Sequence, residues 1–147
     1  MIKLLNITTP RRLLMLLDSG SPGKDSRPKL LVVDDEGIIC QRLREMGESL
    51  GFQVLVAHDG PEAWKLFSAD PPDLVILDLY LPRMNGLMLL SKIKQERPRC
   101  PVILITGFLH ERALQFMGGT RPDATIFKPL NQTQTSEAML KLVSART

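Results

Sequence analysis

Five short, mainly apolar runs separated by segments of helical spacing constrain the fold of this chain more than any other feature. The runs are Leu30–Val33, Phe52–Ala57, Leu74–Leu77, Val102–Ile105 and Thr125–Phe127. An apolar run of this length is typical of a strand that is covered on both faces. Between the runs, apolar residues such as Ile39, Leu43 and Met46 recur at helical spacing. Strands that alternate with helices predict an α/β fold with right-handed crossovers, a parallel sheet and helices on both faces.

Turn-forming residues mark the predicted helix boundaries. Pro61 fits the first turn of the second helix, and Pro98 follows the third. Two more helices are predicted, a short one around Glu111–Met117 and a final one that turns Met139 and Val143 inward. The carboxyl ends of parallel strands lie at one edge of the sheet, which is where ligands bind in such folds.

The net charge of the chain is confined to its first residues. The sequence has 19 Lys and Arg against 16 Asp and Glu, a formal charge of +3. Lys3, Arg11 and Arg12 lie in residues 1–14 without any acid, so residues 15–147 balance at 16 basic and 16 acidic residues. Since the body is neutral and shows no helix-turn-helix pattern, we expect no direct binding to nucleic acid.

The N-terminal part of the chain differs in composition from the rest. Residues 18–28 (DSGSPGKDSRP) are typical of a flexible linker. We therefore predict a leader and linker over residues 1–28 and one domain over residues 29–147. No apolar run approaches the ~18 residues that a membrane span requires, so no span is expected.

Cysteine and histidine usage excludes several kinds of site. Cys40 and Cys100 do not form a CxxC pair, and reduced, structural thiols in a cytoplasmic protein are the expected state. With only His58 and His110 in the chain, a site built from many histidines is impossible.

Polar side chains follow four of the predicted strands, at the point where each strand ends. Asp34 and Asp35 follow the first strand, Asp78 the third, Thr106 the fourth and Lys128 the fifth. Taken singly, the acids are typical helix caps, the Thr a turn hydroxyl and the Lys a solvated strand end. Because all five fall at the same edge of the sheet, we expect them to converge.

Three neighbouring carboxylates repel one another unless a cation lies between them. Hard oxygen ligands suit Mg²⁺. A carboxylate, a divalent metal, an ammonium and a hydroxyl are also the groups that handle a phosphoryl group, with the carboxylate able to act as the nucleophile. The sequence therefore predicts a magnesium-dependent phosphoryl site.

Four segments of the chain resemble the receiver domain of two-component response regulators, the CheY-like family. They are LLVVDDE (30–36), PDLVILDLYLPRMNG (72–86), VILITG (102–107) and FKP (127–129). The resemblance covers about residues 29–147. It implies a flavodoxin-like, doubly wound sheet of five parallel strands in the order 2-1-3-4-5.

The resemblance also assigns roles by position. Asp78 is implied to be the phosphoacceptor, with Lys128 and Thr106 contacting the phosphoryl group. Mg²⁺ is implied to bind Asp35, Asp78 and the backbone carbonyl of Tyr80 directly, and Asp34 through a water. The Lys128–Pro129 peptide bond is implied to be cis. The phosphoryl donor is then a sensor histidine kinase or a histidine phosphotransfer protein.

One position departs from the family pattern. Receivers usually carry Tyr or Phe three residues before the Lys, where this chain has Thr125. Phe127 lies on the same strand face by alternation and is a candidate substitute, although it is more simply interpreted as a core residue.

These features lead to one functional hypothesis with two alternatives. We expect a stand-alone response regulator that signals through an unidentified downstream protein, because few residues follow Lys128. No independent enzymatic activity is expected beyond self-phosphorylation and slow autodephosphorylation. A pseudo-receiver that acts as a constitutive interaction module is the main alternative. A phosphatase with a DxD motif is disfavoured because Tyr80 takes the place of the second Asp.

Overall fold

A computed structural model describes residues 25–107 and 120–145. Within them, strands and helices alternate as predicted, except that β4 and β5 are separated by residues that are not described. The elements are β1 (Lys29–Val33), α1 (Gly37–Ser49), β2 (Gln53–Ala57), α2 (Gly60–Ala69), β3 (Leu74–Asp78), α3 (Gly86–Glu96), β4 (Val102–Thr106), β5 (Ala124–Phe127) and α4 (Gln132–Ala145). The predicted leader, the predicted helix at Glu111–Met117 and His110 lie outside the described residues.

All five strands belong to one parallel sheet in the order β2-β1-β3-β4-β5. The predicted strand order of the flavodoxin-like fold is therefore confirmed. The central strands β3 and β4 are buried at every position. Such strands have to be apolar on both faces, which is why their sequences show no alternation.

The sheet separates two apolar cores. On one face, α1 and α4 cover residues such as Val32 and Ile76, with Met139 of α4 fully buried. On the other face, α2 and α3 cover residues such as Val33, with Phe67 of α2 in the same cluster. Each fully buried side chain of this size contributes roughly 1.5–3 kcal/mol. The two cores fix the strands, and therefore the edge at which the strands end.

Capping residues begin α2 and α3. The Asp59 side chain accepts a hydrogen bond from the Glu62 backbone N–H at 2.8 Å, and the Asn85 side chain accepts one from the Met88 N–H at 2.9 Å. Caps of this kind are each worth about 1 kcal/mol. Pro61 lies in the first turn of α2 as predicted. These caps fix the points at which the loops after β2 and β3 enter their helices.

Phe127 does not belong to the core, and the simpler sequence interpretation of it was wrong. Its side chain is 40% exposed, whereas Ile126 beside it is buried. The reason is its place in the sheet, because Phe127 is the last residue of the edge strand β5. Its neighbour on the same strand face, Thr125, is half-buried.

Three other predictions concern the cysteines, the Lys128–Pro129 peptide bond and membrane spans. Cys40 and Cys100 are both buried, and neither forms a disulfide, as predicted. The Lys128–Pro129 bond is cis, as the resemblance implied. Among the residues that the structure describes, no helix is long and apolar enough to cross a membrane.

Candidate functional site

Three carboxylates meet at the carboxyl edge of the sheet. Asp34 and Asp35 follow β1, and Asp78 is the last residue of β3, the strand that pairs with β1. One carboxylate oxygen from each of the three lies within 4.8 Å of the others. Asp34 and Asp78 are buried and Asp35 is exposed. The predicted acidic residues therefore form one cluster that is open to solvent at Asp35.

Asp34 is the most enclosed of the three acids. Its side chain has no exposed surface, and Oδ1 accepts a hydrogen bond from the Glu36 backbone N–H at 2.8 Å. Burial raises its pKa to about 6, assisted by the nearby charge of Asp78 and opposed by that hydrogen bond and by Lys128. Since the N-cap of α1 is Glu36, the interpretation of Asp34 as a helix cap was wrong.

Asp78 lies at the centre of the cluster. Its Oδ1 accepts a hydrogen bond from the Tyr80 backbone N–H at 3.4 Å, and its Oδ2 accepts one from Lys128 Nζ at 3.2 Å. Burial raises the pKa of its carboxyl group, and the charge of Lys128 opposes that rise. The Tyr80 side chain itself points outward and is 54% exposed.

Lys128 supplies the positive charge of the site. Its ammonium lies 3.2 Å from Asp34 Oδ2, 3.2 Å from Asp78 Oδ2 and 2.8 Å from Glu36 Oε1. Burial alone would lower its pKa, but the hydrogen bond to Glu36 and the charges of Asp34 and Asp78 outweigh burial and raise it. Lys128 therefore stays charged and connects β5 to β1 and β3.

Glu36 is the residue of this site that the sequence analysis missed. It follows the acid pair directly, and its carboxylate is the nearest of the three that contact the Lys128 ammonium. As the third acid of Asp34-Asp35-Glu36, it could have been noticed in the sequence. The spacing of apolar residues, however, does not predict the direction in which an exposed side chain between a strand and a helix points.

Thr106 lies beside the cluster at the end of β4. It has no exposed surface, and its hydroxyl donates to the Gly107 carbonyl at 3.2 Å. Its own carbonyl accepts the Lys128 backbone N–H at 2.8 Å, so Thr106 and Lys128 are held at the same level of the sheet. The five predicted site residues thus follow or end β1, β3, β4 and β5 at one edge.

The loop between β3 and α3 is held against the start of α2. A Cβ built on Gly60 would lie 2.4 Å from Met84 Cβ, so the two segments touch at a position where only glycine fits. Arg83, which has a φ of 68°, reaches Asp59 at 3.7 Å. These two contacts therefore fix the loop that follows Asp78 against the start of α2.

Two side chains contact the backbone carbonyl of Asp34. The Cys40 thiol donates to the Asp34 backbone carbonyl at 3.1 Å, and His58 Nδ1 lies 3.3 Å from the same oxygen. Burial raises the pKa of the Cys40 thiol to about 11, with the charge of Asp34 adding to the effect. His58 lies directly after β2 and is exposed, as expected for a loop residue near this edge.

The acidic cluster fits a hard divalent cation such as Mg²⁺. The buried Asp34 Oδ2 has no aligned hydrogen-bond donor among the described residues; the Lys128 ammonium lies 3.2 Å away, and the other two carboxylates of the cluster are close by. A buried carboxylate oxygen without a donor is costly unless a cation neutralises it. The cluster offers oxygen ligands only, which is the donor set that Mg²⁺ prefers.

Comparisons with known proteins agree with this geometry. The model of the response regulator receiver domain family matches residues 30–140. The alkaline phosphatase synthesis transcriptional regulatory protein PhoP of Bacillus subtilis is 37% identical over 79 residues, which cover 54% of this chain and 33% of PhoP. The probable transcriptional regulator ycf27 of Guillardia theta is 32% identical over 125 residues, 84% of this chain and 48% of that protein. The chain thus spans between a third and a half of the length of these curated relatives.

Two solved receiver-domain structures share this fold over nearly their whole length. A CheY-like receiver domain protein from Methanospirillum hungatei JF-1 superposes with a TM-score of 0.77 at 27% identity, covering 82% of this chain and 96% of that one. A receiver domain protein from Clostridium thermocellum gives a TM-score of 0.74 at 27% identity, covering 81% of this chain and 96% of the other. The chain belongs to the response regulator receiver domain family of two-component systems.

Proposed function

We propose that the protein is a magnesium-dependent phosphoacceptor that takes a phosphoryl group onto Asp78 from a phosphohistidine. The donor is a sensor histidine kinase or a histidine phosphotransfer protein. One observation carries the proposal: a single ammonium, that of Lys128, lies 3.2 Å from both Asp34 and Asp78 inside a three-carboxylate cluster. This contact supports the proposal because it brings the proposed nucleophile, a cation for the phosphoryl oxygens and the carboxylates proposed to bind the metal within reach of one another.

The transfer requires no general base at Asp78. An oxygen of the ionised carboxylate attacks phosphorus, an O–P bond forms, and the P–N bond of the phosphohistidine breaks. The imidazole, protonated on its other nitrogen, leaves as a neutral ring with the electron pair of that bond. Lys128 offsets the charge of the phosphoryl oxygens, and the Thr106 hydroxyl donates to one of them after leaving the Gly107 carbonyl.

Asp35, Asp78 and the backbone carbonyl of Tyr80 are the proposed direct ligands of Mg²⁺, with Asp34 acting through a water. When bound, Mg²⁺ supplies positive charge that offsets the repulsion between the carboxylates and the phosphoryl oxygens. Asp35 is the exposed member of the cluster and so lies on the side from which a hydrated ion enters.

The proposed output is a contact with another protein that depends on the position of Thr106. Position 125 on the edge strand is relevant to this output, because this chain has Thr there and the family pattern has an aromatic residue. A pseudo-receiver that binds its partner without phosphorylation is the second candidate, and Thr125 is the observation that favours it.

Labelling with a small donor tests the proposal. The protein is incubated with Mg²⁺ and acetyl phosphate, and intact mass is measured. Addition of one phosphoryl group is expected for the native sequence and for Asp70→Asn, an exposed acid at the opposite edge of the sheet. No addition is expected for Asp78→Asn. A folded protein that takes up no phosphoryl group would support the pseudo-receiver instead.

The donor is tested separately. A purified histidine phosphotransfer protein, phosphorylated on its histidine, should lose its label to the native chain and keep it in the presence of Asp78→Asn. Transfer to both chains would place the acceptor elsewhere.

A further inference from the structure

We propose that Glu36 is a positioning residue that holds Lys128 at the mouth of the site and thereby slows phosphorylation of Asp78. The inference rests on the proposed function, because it concerns the same acceptor. Glu36 is neither a member of the three-carboxylate cluster nor a residue to which the family resemblance assigned a role.

The Glu36 side chain forms a hydrogen bond with Lys128 instead of capping its own helix. Glu36 is the N-cap residue of α1, yet its side chain makes no capping hydrogen bond. Its Oε1 instead accepts a hydrogen bond from Lys128 Nζ at 2.8 Å, across 92 residues of sequence. Glutamate is not among the favoured capping residues, so the side chain has no helix-starting role at this position.

The contact to Glu36 is also shorter than the one to the acceptor. Lys128 Nζ lies 2.8 Å from Glu36 and 3.2 Å from Asp78. The Glu36 side chain is 54% exposed and that of Asp78 only 8%. Lys128 is therefore shared between a carboxylate at the surface and the buried carboxylates behind it.

Phosphorylation changes the balance between these partners. A phosphoryl group on Asp78 brings additional negative charge to the inner side of Lys128, and the ammonium has to turn toward it. The ion pair with Glu36 is then weakened, and its carboxylate repels the phosphoryl oxygens. An interaction that stabilises the unphosphorylated site more than the phosphorylated one slows the transfer and opposes its product.

Loss of Glu36 removes the outer partner of Lys128 but keeps its ammonium in the site. Asp34 and Asp78 still bind the ammonium, since each has a carboxylate oxygen 3.2 Å from it. The expected gain is about fivefold in the rate of phosphoryl uptake, the factor that corresponds to a partly exposed ion pair. The gain should shrink as salt screens the charge of Glu36.

The test compares Glu36→Gln with the native chain and with Glu137→Gln, which removes the same charge from an exposed position of α4. Phosphoryl uptake from acetyl phosphate is followed by intact mass at saturating Mg²⁺, at low and at high salt. Calorimetric titration with fluoroberyllate, a phosphoryl analogue, measures affinity without any transfer. Chemical denaturation checks that each variant is folded.

The inference predicts about fivefold faster labelling and about fivefold tighter fluoroberyllate binding for Glu36→Gln at low salt, and no change for Glu137→Gln. A purely structural role of Glu36 would change the midpoint of unfolding but not the fluoroberyllate affinity. Native-like or slower labelling of Glu36→Gln, while the native chain is labelled at Asp78, would overturn the inference and leave the proposed function standing. Absence of labelling in the native chain would overturn both.

Discussion

Gly86 lies against the backbone of Asp78 so closely that no side chain fits between them. A Cβ built on Gly86 would lie 2.2 Å from the Asp78 carbonyl oxygen and 2.8 Å from Leu79 Cα. The Gly86 backbone N–H donates to the Leu79 carbonyl at 2.7 Å, which turns the chain back onto the end of β3. The glycine that ends the segment LPRMNG is therefore required by the placement of the acceptor.

Replacement of Gly86 by Ala should destabilise the protein by about 2 kcal/mol, because backbone atoms rather than flexible side-chain ends have to move. Gly37→Ala is the matched control. Gly37 lies at the start of α1 with nothing within 4 Å of an added Cβ, so the change should be neutral or stabilising by about 0.5 kcal/mol. Urea denaturation of both variants measures the difference.

The same pair tests the site. Gly86→Ala should also reduce phosphoryl uptake by Asp78 from acetyl phosphate, whereas Gly37→Ala should not. Equal stabilities of the two variants would contradict the close approach of Gly86 to Asp78.

The sequence predicted that these side chains meet at one edge because a parallel sheet brings its strand ends together. Asp78 and Thr106 each follow a continuous apolar run, and in a parallel sheet such ends have to lie at one edge. Strand order followed from the resemblance rather than from periodicity. Helix positions were predictable wherever a proline or an apolar spacing marked them.

The residues that sequence analysis misjudged lie where no pattern applies. Glu36 lies at the N-cap of α1, and its contact with Lys128 depends on where two distant segments end. Phe127 was misinterpreted because alternation fixes a strand face but does not tell whether that face is covered at the end of an edge strand. The need for glycine at position 86 comes from a contact with the backbone of β3, which spacing alone does not show.

Removal of the Lys128 ammonium should destabilise the metal-free protein. In Lys128→Gln the carboxylates of Asp34 and Asp78 remain buried without the cation that lies 3.2 Å from each. We expect a loss of about 2 kcal/mol in the free energy of unfolding at neutral pH, below the cost of breaking a fully buried pair because the Lys128 side chain is 19% exposed. Denaturation in the presence of a chelator measures it.

Lys141→Gln provides the charge-matched control, since Lys141 is exposed on α4. It should change stability by less than about 0.5 kcal/mol. If Lys128→Gln were as stable as this control, the ion pairs of Lys128 would contribute nothing measurable to the fold.

Exposure of Phe127 can be checked against a buried phenylalanine. Phe127→Ala should change the free energy of unfolding by less than about 1 kcal/mol, because its ring is 40% exposed at the end of an edge strand. Phe52→Ala should cost about 3–5 kcal/mol, because Phe52 has no exposed surface. Thermal and urea denaturation measure both changes. A loss of several kcal/mol in Phe127→Ala would show that the Phe127 ring is buried in the core.

Magnesium should stabilise the folded protein through the acidic cluster, since the three carboxylates come within 4.8 Å of one another only when the chain is folded. At a concentration ten times the dissociation constant, the free energy of unfolding should rise by about 1.4 kcal/mol relative to chelator. Asp35→Asn, which removes the exposed carboxylate, should lose most of this gain, whereas Asp70→Asn should keep it. Sodium chloride at matched ionic strength separates metal binding from screening. If the free energy of unfolding rose by the same amount in Asp35→Asn, or in sodium chloride alone, magnesium would not act by binding to the cluster.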